Sequence, residues 1–460
     1  MKEQLSETRV RNNFAQYCKA RRINIKSIFL SLVGLFCYLS GYSQINAPAA
    51  SGYEVVAKDG TWCWFADPRA VYHKGRQEKI YYGYINTRGD VVISSRDVNT
   101  KAIQTYVLHE KLQVDDHNVP SILFLPDGKI LAFYTEHNGK FFMRKSKNPE
   151  DIRSWEEEKV LSFGLKEELI TYSHPVMLSG ENNRIYMFFR SRNKRIAANP
   201  KYIDWKQNYS YSDDLGKTWT DARYYLSSKG DYNRVPYLKV VSDNKSKIHF
   251  LFTNGHPKLD LSSVYHMYYE GGAFYQTDGK AIAGITETPL DNNKINKLYN
   301  SEDIKIRSWI WDIALNKKGH PVVTYAQYPS VNDHIYHYAR WNGKKWIDQR
   351  MINAGTYITK PEKNGKVLEE HYSGGIVLDH NNPKNVFLSR QINGVFEIEH
   401  WKLNGEKWKI SAITNNSAAS NVRPYVVDNN PGKHPMVIWM NGMYEHYVRY
   451  KTDLLINEKK

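Results

Sequence analysis

The hydrophobic and polar positions of this chain alternate in short runs that predict β-hairpins. The clearest hairpin has an apolar run over residues 119–125, a Pro-Asp-Gly turn at 126–128, and a second apolar run over residues 130–135. Proline fixes φ, aspartate bonds to nearby backbone and glycine accepts a positive φ, so this tripeptide is a strong turn signal. His117 precedes the first strand and His137 follows the second. Because the open ends of an antiparallel pair meet, the two imidazoles should lie close together.

This hairpin is one copy of a repeat. Its second-strand pattern recurs along the chain, after a polar turn that contains Gly or Asn and before a tyrosine-rich strand. The seven second-strand segments are residues 80–84, 130–134, 185–189, 248–252, 322–325, 386–389 and 436–439. Repeats of about 55–60 residues with several short strands each are typical of propeller blades. We therefore predict an all-β fold, a seven-bladed β-propeller, in preference to a β-helix or two β-sandwiches. The Asp-box at residues 212–219 fits a turn between outer strands.

The repeat also predicts which side chains share a face. In every unit, the start of the first strand and the end of the second strand must lie on the same side of the disc. These positions carry basic, imidazole and aromatic side chains, whereas the opposite turns carry ordinary Asp, Asn, Gly and Lys. The residues at the shared face are His117, Asn118, His137, Tyr172, Arg190, Arg234, Tyr237, His256, Trp311, Asp312, His371, Tyr372 and Arg423. We therefore expect the functional site on that face.

Several of these residues also have a structural explanation. Tyr172 could be a core tyrosine, since 34 tyrosines cannot all be functional. Arg190 ends an apolar strand, where its charge requires a carboxylate from the protein or from a ligand. His256 and His266 could together hold a structural zinc or calcium ion, although no cysteine lies near them.

The N-terminus has the pattern of a secretory signal peptide. Three basic residues at 21–26 precede an apolar run at 28–39, and small and polar residues follow at 40–44. Since about 12 apolar residues are too few to span a bilayer, we predict cleavage near residue 44 and no integral membrane span afterwards. Residues 1–44 would be the signal peptide and residues 45–460 a single catalytic propeller domain, secreted or periplasmic.

Composition restricts the chemistry further. After loss of the leader only Cys63 remains, which excludes a disulfide framework and a cysteine-rich zinc site. We interpret Cys63 as a buried small hydrophobe. The formal charge is +16, or +11 without the leader, and a strongly basic exported protein favours a polyanionic partner. No nucleic-acid motif is present, so an acidic polysaccharide, sulfated or not, is the expected partner and nucleic acid is not.

Six short segments together resemble a known family. They are residues 116–120, 135–137, 172–175, 189–190, 255–257 and 372–375. They are similar to the BNR-repeat propeller group that contains the ulvan lyases of polysaccharide lyase families 24 and 25 and related rhamnose–glucuronate lyases. A rhamnosidase-type glycoside hydrolase family is also similar.

The resemblance implies β-elimination at a uronic acid in a rhamnose- and glucuronate-containing polymer. Arg190 would neutralise the uronate carboxylate, and His117 and Tyr172 would be the acid–base pair in an order that the sequence leaves open, with His137 as an alternative acid. His137 would orient the substrate, and no metal or organic cofactor would be required for catalysis. The expected substrate-binding residues are Asn118, Arg234, Tyr237 and His371. The alternatives are a rhamnosidase-type hydrolase on the same scaffold and a non-catalytic carbohydrate-binding propeller.

Overall fold

The strands of the described residues form seven separate sheets, which are the blades of a ring. The computed structural model describes residues 53–194, 205–227, 235–432 and 434–457, so the predicted leader lies outside the described residues. The predicted all-β, seven-bladed propeller is confirmed. No helix in the described ranges is long and apolar enough to cross a membrane.

The strands are numbered in chain order and assigned to blades by their pairing. The first strand, β1 (Tyr53–Ala57), belongs to the last blade. Blade 1 contains β2 (Ala70–Lys74), β3 (Glu78–Ile85), β4 (Val91–Asp97) and β5 (Ile103–His109). Blade 2 contains β6 (Ser121–Phe124), β7 (Ile130–Thr135), β8 (Phe141–Lys145) and β9 (Lys159–Val160). Blade 3 contains β10 (Glu168–Leu178), β11 (Arg184–Asn193), β12 (Trp205–Ser212) and β13 (Arg223–Ser227), with β19 (Leu290–Asp291) added at its edge.

The remaining blades follow the same plan. Blade 4 contains β14 (Tyr237–Ser242), β15 (Lys247–Thr253), β16 (Val264–Glu270), β17 (Ala273–Gln276), β18 (Ala281–Gly284) and β20 (Lys297–Tyr299). Blade 5 contains β21 (Arg307–Leu315), β22 (Pro321–Ser330), β23 (Asp333–Trp341) and β24 (Trp346–Asn353). Blade 6 contains β25 (Ile376–Leu378), β26 (Asn385–Ile392), β27 (Val395–Asn404) and β28 (Lys407–Ala412). Blade 7 contains β29 (Asn421–Val426), β30 (Val437–His446) and β31 (Arg449–Asn457), with β1 as its outer strand.

Among the residues that the structure describes, the complete helical elements are single turns in the loops. They are the 3₁₀ turns Asp116–Asn118, Ser179–Glu181 and Asn292–Lys294 and the short α-helix α1 (Ser301–Ile304). The seven predicted second-strand segments fall on the second strands of the blades, β3, β7, β11, β15, β22, β26 and β30, and only Met436 lies one residue before its strand.

The hairpin of blade 2 has the predicted register and turn. Ser121 pairs with Phe133 and Phe124 pairs with Ile130. Gly128 closes the turn at φ +80°, and its N–H donates to the Leu125 carbonyl at 2.9 Å. We call the face that carries the start of β6 and the end of β7 the upper face, and the face that carries this turn the lower face.

The ring is closed by the two ends of the described chain. Strand β1 pairs antiparallel with β31, from Tyr53 opposite Asn457 to Ala57 opposite Leu454. One blade therefore takes strands from both ends of the chain, so opening the ring would break a sheet as well as a blade interface.

An aromatic loop between β1 and β2 covers the axis of the ring on the upper side. Trp64 stacks on Trp311 with ring centroids 4.6 Å apart, and Trp62 Nε1 donates to the Arg423 carbonyl at 3.1 Å. Cys63 between them is buried and free, as predicted. A cavity of about 480 Å³ lies at the lower end of the axis, between the first strands of the blades.

Candidate functional site

Two stacked histidines mark the centre of the candidate site. The predicted proximity of His117 and His137 is confirmed, since their ring centroids are 3.9 Å apart and their planes differ by 9°. His117 lies in the 3₁₀ turn before β6, and His137 follows the end of β7. The side chain of His117 is 5% exposed and that of His137 is 19% exposed, so both rings are largely shielded from solvent.

Asp115 joins the two imidazoles through its two carboxylate oxygens. Its Oδ1 lies 2.6 Å from His117 Nδ1, and its Oδ2 lies 2.9 Å from His137 Nδ1. Because a carboxylate can only accept, each Nδ1 carries the hydrogen and donates it. In a neutral ring, the other ring nitrogen, Nε2, then has a free lone pair. No described residue is hydrogen bonded to either Nε2.

The shared carboxylate gives the two rings different protonation states. Burial opposes a charge on His117, but Asp115 outweighs burial and holds the pKa of His117 well above its ordinary value. For His137, burial and the charge of His117 lower the pKa to about 4. Near neutral pH the pair therefore carries one extra proton, on His117, while His137 is neutral.

A second carboxylate contacts His117 from the other side of the turn. Asp116 Oδ1 lies 3.1 Å from His117 Nδ1. Its Oδ2 accepts from Arg423 Nη1 at 2.7 Å and from the Tyr444 hydroxyl at 2.6 Å. Arg423 also donates to the Trp62 carbonyl at 2.8 Å. Asp116 is thus held by side chains of blade 7, and it holds the imidazole of blade 2.

Arg190 lies in a box of aromatic rings. Its guanidinium carbon is 4.3 Å from the ring centre of Trp205, 4.8 Å from that of Tyr172 and 4.9 Å from that of Tyr237. Cation–π contacts stabilise the charge, but they leave N–H groups without acceptors. Within the described ranges no carboxylate pairs with Arg190, and its Nε and Nη1 have no hydrogen-bond partner. The guanidinium is therefore a buried cation without a carboxylate partner among the described residues.

Tyr172 lies between Arg190 and the histidine pair. Its ring centroid is 5.7 Å from that of His117. It adopts φ +69° at an irregularity in β10, where the pairing with β11 shifts between Thr171 and His174. This conformation is unfavourable for an aromatic residue and is kept only where surrounding structure imposes it. Burial raises the pKa of Tyr172 well above its ordinary value, so its hydroxyl stays protonated.

Two residues of the site, Phe65 and Tyr447, were not predicted from the sequence. Phe65, from the axial loop, packs at 5.1 Å on Tyr172 and at 5.0 Å on Tyr237 and so forms the floor. The ring of Tyr447 stands roughly perpendicular to those of His117 and His137, with centroids 5.0 Å and 5.5 Å apart. Tyr447 lies one residue beyond the end of β30. Including the residue after each second strand among the candidates would therefore have found it. No comparable signal pointed to Phe65.

The opposite wall is formed by His256 and Glu369. His256 follows the end of β15, and its ring lies 4.5 Å from Trp309 and 5.5 Å from Tyr237. Glu369 lies in the connection between blades 5 and 6, with Oε2 3.8 Å from His256 Nε2. Imidazole, phenol, guanidinium and carboxyl groups therefore surround one aromatic floor, a set that can bind a sugar acid and move a proton.

Comparison with known proteins identifies the family. The model of the BNR repeat-containing family matches residues 79–354, which is more than half of the chain. The chain belongs to the BNR repeat-containing family. Among solved structures, an ulvan lyase of polysaccharide lyase family PL25 has a TM-score of 0.64 at 16% identity, over 89% of this chain and 95% of that one. A PL25 ulvan lyase structure with -[GlcA(1-4)Rha3S]- bound has a TM-score of 0.64 at 15% identity, over 89% of this chain and 95% of that one.

A third structure, polysaccharide lyase Uly1, is similar with a TM-score of 0.56 at 12% identity, over 91% of this chain and 92% of that one. At such identities the similarity shows a common fold. No curated protein matches the chain.

In this BNR family member, two of the expected substrate-binding residues face inward. Asn118 is fully buried and donates to the Thr135 carbonyl at 2.5 Å and to Gln113 Oε1 at 3.2 Å. It therefore holds the open end of the hairpin together. His371 is buried edge-on against Tyr328 at 4.8 Å, and burial lowers its pKa to about 3. Tyr237 lies beneath Arg190, and Arg234 lies outside the described residues.

The expected metal pair is not formed. His266 Nε2 lies 3.1 Å from His249 Nδ1, and its Nδ1 lies 2.8 Å from Thr277 Oγ1. His256 instead contacts Trp309, Tyr237 and Glu369. Hydrogen bonds inside blade 4 therefore account for His266, and the predicted site with His256 is wrong.

Two other groups in the described ranges bring potential metal ligands within 4.8 Å of one another. They are Asp115 with His117 and His137, and Cys63 with Asp116 and His117. A metal bound by imidazole lies in the ring plane, so two parallel rings 3.9 Å apart do not converge on one ion. In the second group, burial raises the pKa of the Cys63 thiol, which disfavours the thiolate that binds metals.

Asp312 also differs from expectation. Its Oδ1 lies 3.1 Å from His380 Nε2, and His380 Nδ1 lies 3.3 Å from Asp428 Oδ1. His380 and Asp428 line the cavity at the lower end of the axis. The bulge in β21 between Ile310 and Asp312 directs this carboxylate away from the upper face.

Proposed function

We propose that this protein is a polysaccharide lyase that cleaves an acidic polysaccharide by β-elimination at a uronic acid. The observation that carries the proposal is the contiguous series His117, Tyr172 and Arg190. It places an aspartate-held imidazole, a phenol and a guanidinium without a carboxylate partner around one floor. Elimination needs a base, an acid and a group that stabilises charge on the substrate carboxylate.

Arg190 would bind the uronate carboxylate. Removal of the C5 proton moves negative charge onto that carboxylate, and a guanidinium stabilises it by charge-assisted hydrogen bonds. The aromatic box keeps the arginine side chain in place before substrate arrives, so little reorganisation is needed during the reaction.

His117 would be the base and Tyr172 the acid. Asp115 fixes the hydrogen on Nδ1 of His117, which leaves Nε2 to take the C5 proton once the ring is neutral. The C5–H electron pair becomes the C4–C5 double bond, and the C4–O bond breaks. The leaving oxygen then takes the hydroxyl proton of Tyr172. A base with a raised pKa suits a weakly acidic C–H group, but the imidazole is protonated below that pKa, near neutral pH included.

His137 would orient the sugar. Its pKa of about 4 keeps it neutral over the working range, and its Nδ1–H is bound to Asp115. Its Nε2 is therefore a hydrogen-bond acceptor that fits a sugar hydroxyl.

The substrate class rests on charge and on the comparisons. A formal charge of +16 favours a polyanion, and two structures with the same fold are named as ulvan lyases. We propose a glucuronate- and rhamnose-containing polymer of the ulvan type as substrate, and export of the protein through its N-terminal signal peptide.

The test is incubation with ulvan and other uronate polymers, followed by ultraviolet absorbance of the unsaturated uronate and mass spectrometry of the products. We expect unsaturated products from the wild type and a loss of turnover of about 10²–10⁴-fold for His117→Ala, with binding largely retained. Saturated products would indicate hydrolysis, and binding without any product would indicate a carbohydrate-binding propeller. Either result would refute the lyase proposal.

A further inference from the structure

The wall opposite the histidine pair contains a carboxylate that the proposed elimination does not use. Glu369 Oε2 is buried and has no hydrogen-bond partner in the described part of the chain. Its Oε1 lies 3.5 Å from Lys258 Nζ, which also donates to the Leu368 carbonyl at 2.5 Å. A buried carboxylate oxygen without a donor costs free energy, so a donor from a ligand would stabilise it.

The backbone around Glu369 is held in place. Its carbonyl accepts from the Thr359 hydroxyl at 3.1 Å and from the Tyr372 N–H at 3.1 Å. The same connection is tied to blade 7, because Lys360 N–H donates to the Glu445 carbonyl at 3.1 Å. The side chain of Glu369 therefore projects from a backbone that is held in place.

His256 provides the complementary donor. Its Nδ1 accepts from the Lys258 N–H at 3.0 Å, so in the neutral ring the hydrogen is on Nε2. Burial lowers the pKa of His256 well below its ordinary value, which keeps the ring neutral. The distance from Nε2 to Glu369 Oε2, 3.8 Å, is too long for a direct hydrogen bond. One oxygen atom can lie within about 2.8 Å of both atoms, accepting from Nε2 and donating to Oε2.

The chemistry of this gap selects a neutral group. A cation would meet Lys258, and an anion would meet the Glu369 carboxylate. A hydroxyl group both accepts and donates, and it fits the pair without adding charge. The pair also borders the site, because His256 packs against Tyr237, which contacts Arg190.

We infer that Glu369 and His256 form a subsite for a free hydroxyl of the sugar beside the uronate, and that this subsite discriminates against a sulfate ester at that hydroxyl. The inference rests on the proposed function for the position of the uronate at Arg190. Glu369 is then a specificity-determining residue, and it takes no part in the proton transfers.

The test compares glucuronate–rhamnose oligosaccharides from ulvan in their sulfated form and after chemical desulfation. For the wild type we expect a KM at least about tenfold lower for the desulfated form, with similar kcat. Glu369→Gln should raise the KM for the desulfated form by about tenfold and lower it for the sulfated form, since the amide can donate to sulfate. Glu370→Gln is the matched control, because this neighbouring carboxylate is partly exposed and points towards His371.

Two outcomes would overturn the inference: a wild type that prefers the sulfated form, or a Glu369→Gln variant whose preference is unchanged. Glu369→Asp keeps the negative charge and should keep the preference for the desulfated oligosaccharide. This variant therefore shows whether a changed preference in Glu369→Gln comes from the lost charge or from a folding defect. If neither oligosaccharide gives product, the proposed function fails, and the ratio of the two dissociation constants by calorimetry still tests the subsite.

Discussion

Replacing Asp115 by asparagine tests the centre of the proposed mechanism. The carboxylate accepts three hydrogen bonds, from the His117 N–H at 3.0 Å, His117 Nδ1 at 2.6 Å and His137 Nδ1 at 2.9 Å. Asparagine has nearly the same shape, but one of its two terminal groups is a donor. That group would face one Nδ1–H, so one of the imidazoles must change its tautomer, and the negative charge beside His117 is lost.

We expect two separable consequences. An imidazole with its hydrogen on the wrong nitrogen cannot act as base, and losses of about 10²–10⁴-fold in kcat are typical of such changes, or about 3–5 kcal/mol of transition-state stabilisation. The missing charge also lowers the pKa of His117. Since the base must be neutral, kcat/KM of the wild type should rise with pH towards the raised pKa of His117, and this rise should move to lower pH in Asp115→Asn.

The assay is the initial rate of unsaturated-uronate formation across the pH range, with thermal unfolding to check folding. Asp127→Asn is the matched control, because Asp127 lies in the same hairpin at the opposite, exposed end, and it should leave the profile unchanged. An Asp115→Asn variant with wild-type kcat, or with the rise at higher pH, would refute His117 as the base.

Two further predictions concern the acid and the lower end of the axis. Tyr172→Phe should lower kcat by about 10²–10⁴-fold in steady-state kinetics with little change in KM, because it removes only the proton donor. If kcat of Tyr172→Phe is unchanged, a residue other than Tyr172 is the acid. His380→Gln should lower the stability by about 2–3 kcal/mol, since it leaves Asp312 and Asp428 without their shared cation. Asp312 and Asp428 hold the pKa of His380 at about 10 against burial, above its ordinary value, so its contribution grows as the pH falls from 10 towards 6.5. Below about pH 6 the contribution decreases again, because burial raises the pKa of Asp428 to about 6 and this partner then takes up a proton. The difference in Tm between the wild type and His380→Gln should therefore become smaller in alkaline solution. A difference that does not depend on pH would contradict this explanation.

Local patterns predicted the architecture because blades are built from neighbouring segments. Alternation and turn chemistry act over a few residues, so the seven second strands could be located from the chain alone. The same locality brought His117 and His137 together, since a three-residue turn joins their strands. Aromatic and basic residues at the strand ends then indicated the correct face for Tyr172, Arg190 and His256.

Contacts between distant segments could not be predicted in this way. Asp116 and Arg423 are separated by 307 positions, and only closure of the ring brings blade 7 against blade 2. The repeat places Asn118 and Asp312 on the face of the site. The 3₁₀ turn directs the Asn118 side chain inward, and the bulge in β21 directs the Asp312 side chain towards the lower face. Such local irregularities depend on what packs around them.

By itself, the sequence determined a ring of seven hairpins, the face of that ring and the histidine pair at its site, because these depend on short-range periodicity and turn geometry. Only the tertiary structure decided which partners surround each charged group. Asp115 bridges the histidines, an aromatic box encloses Arg190, and Glu369 faces His256. The physical reason is that a pKa and the partner of a buried charge are set by everything within a few ångströms, and in a closed ring those neighbours come from blades far apart in the chain.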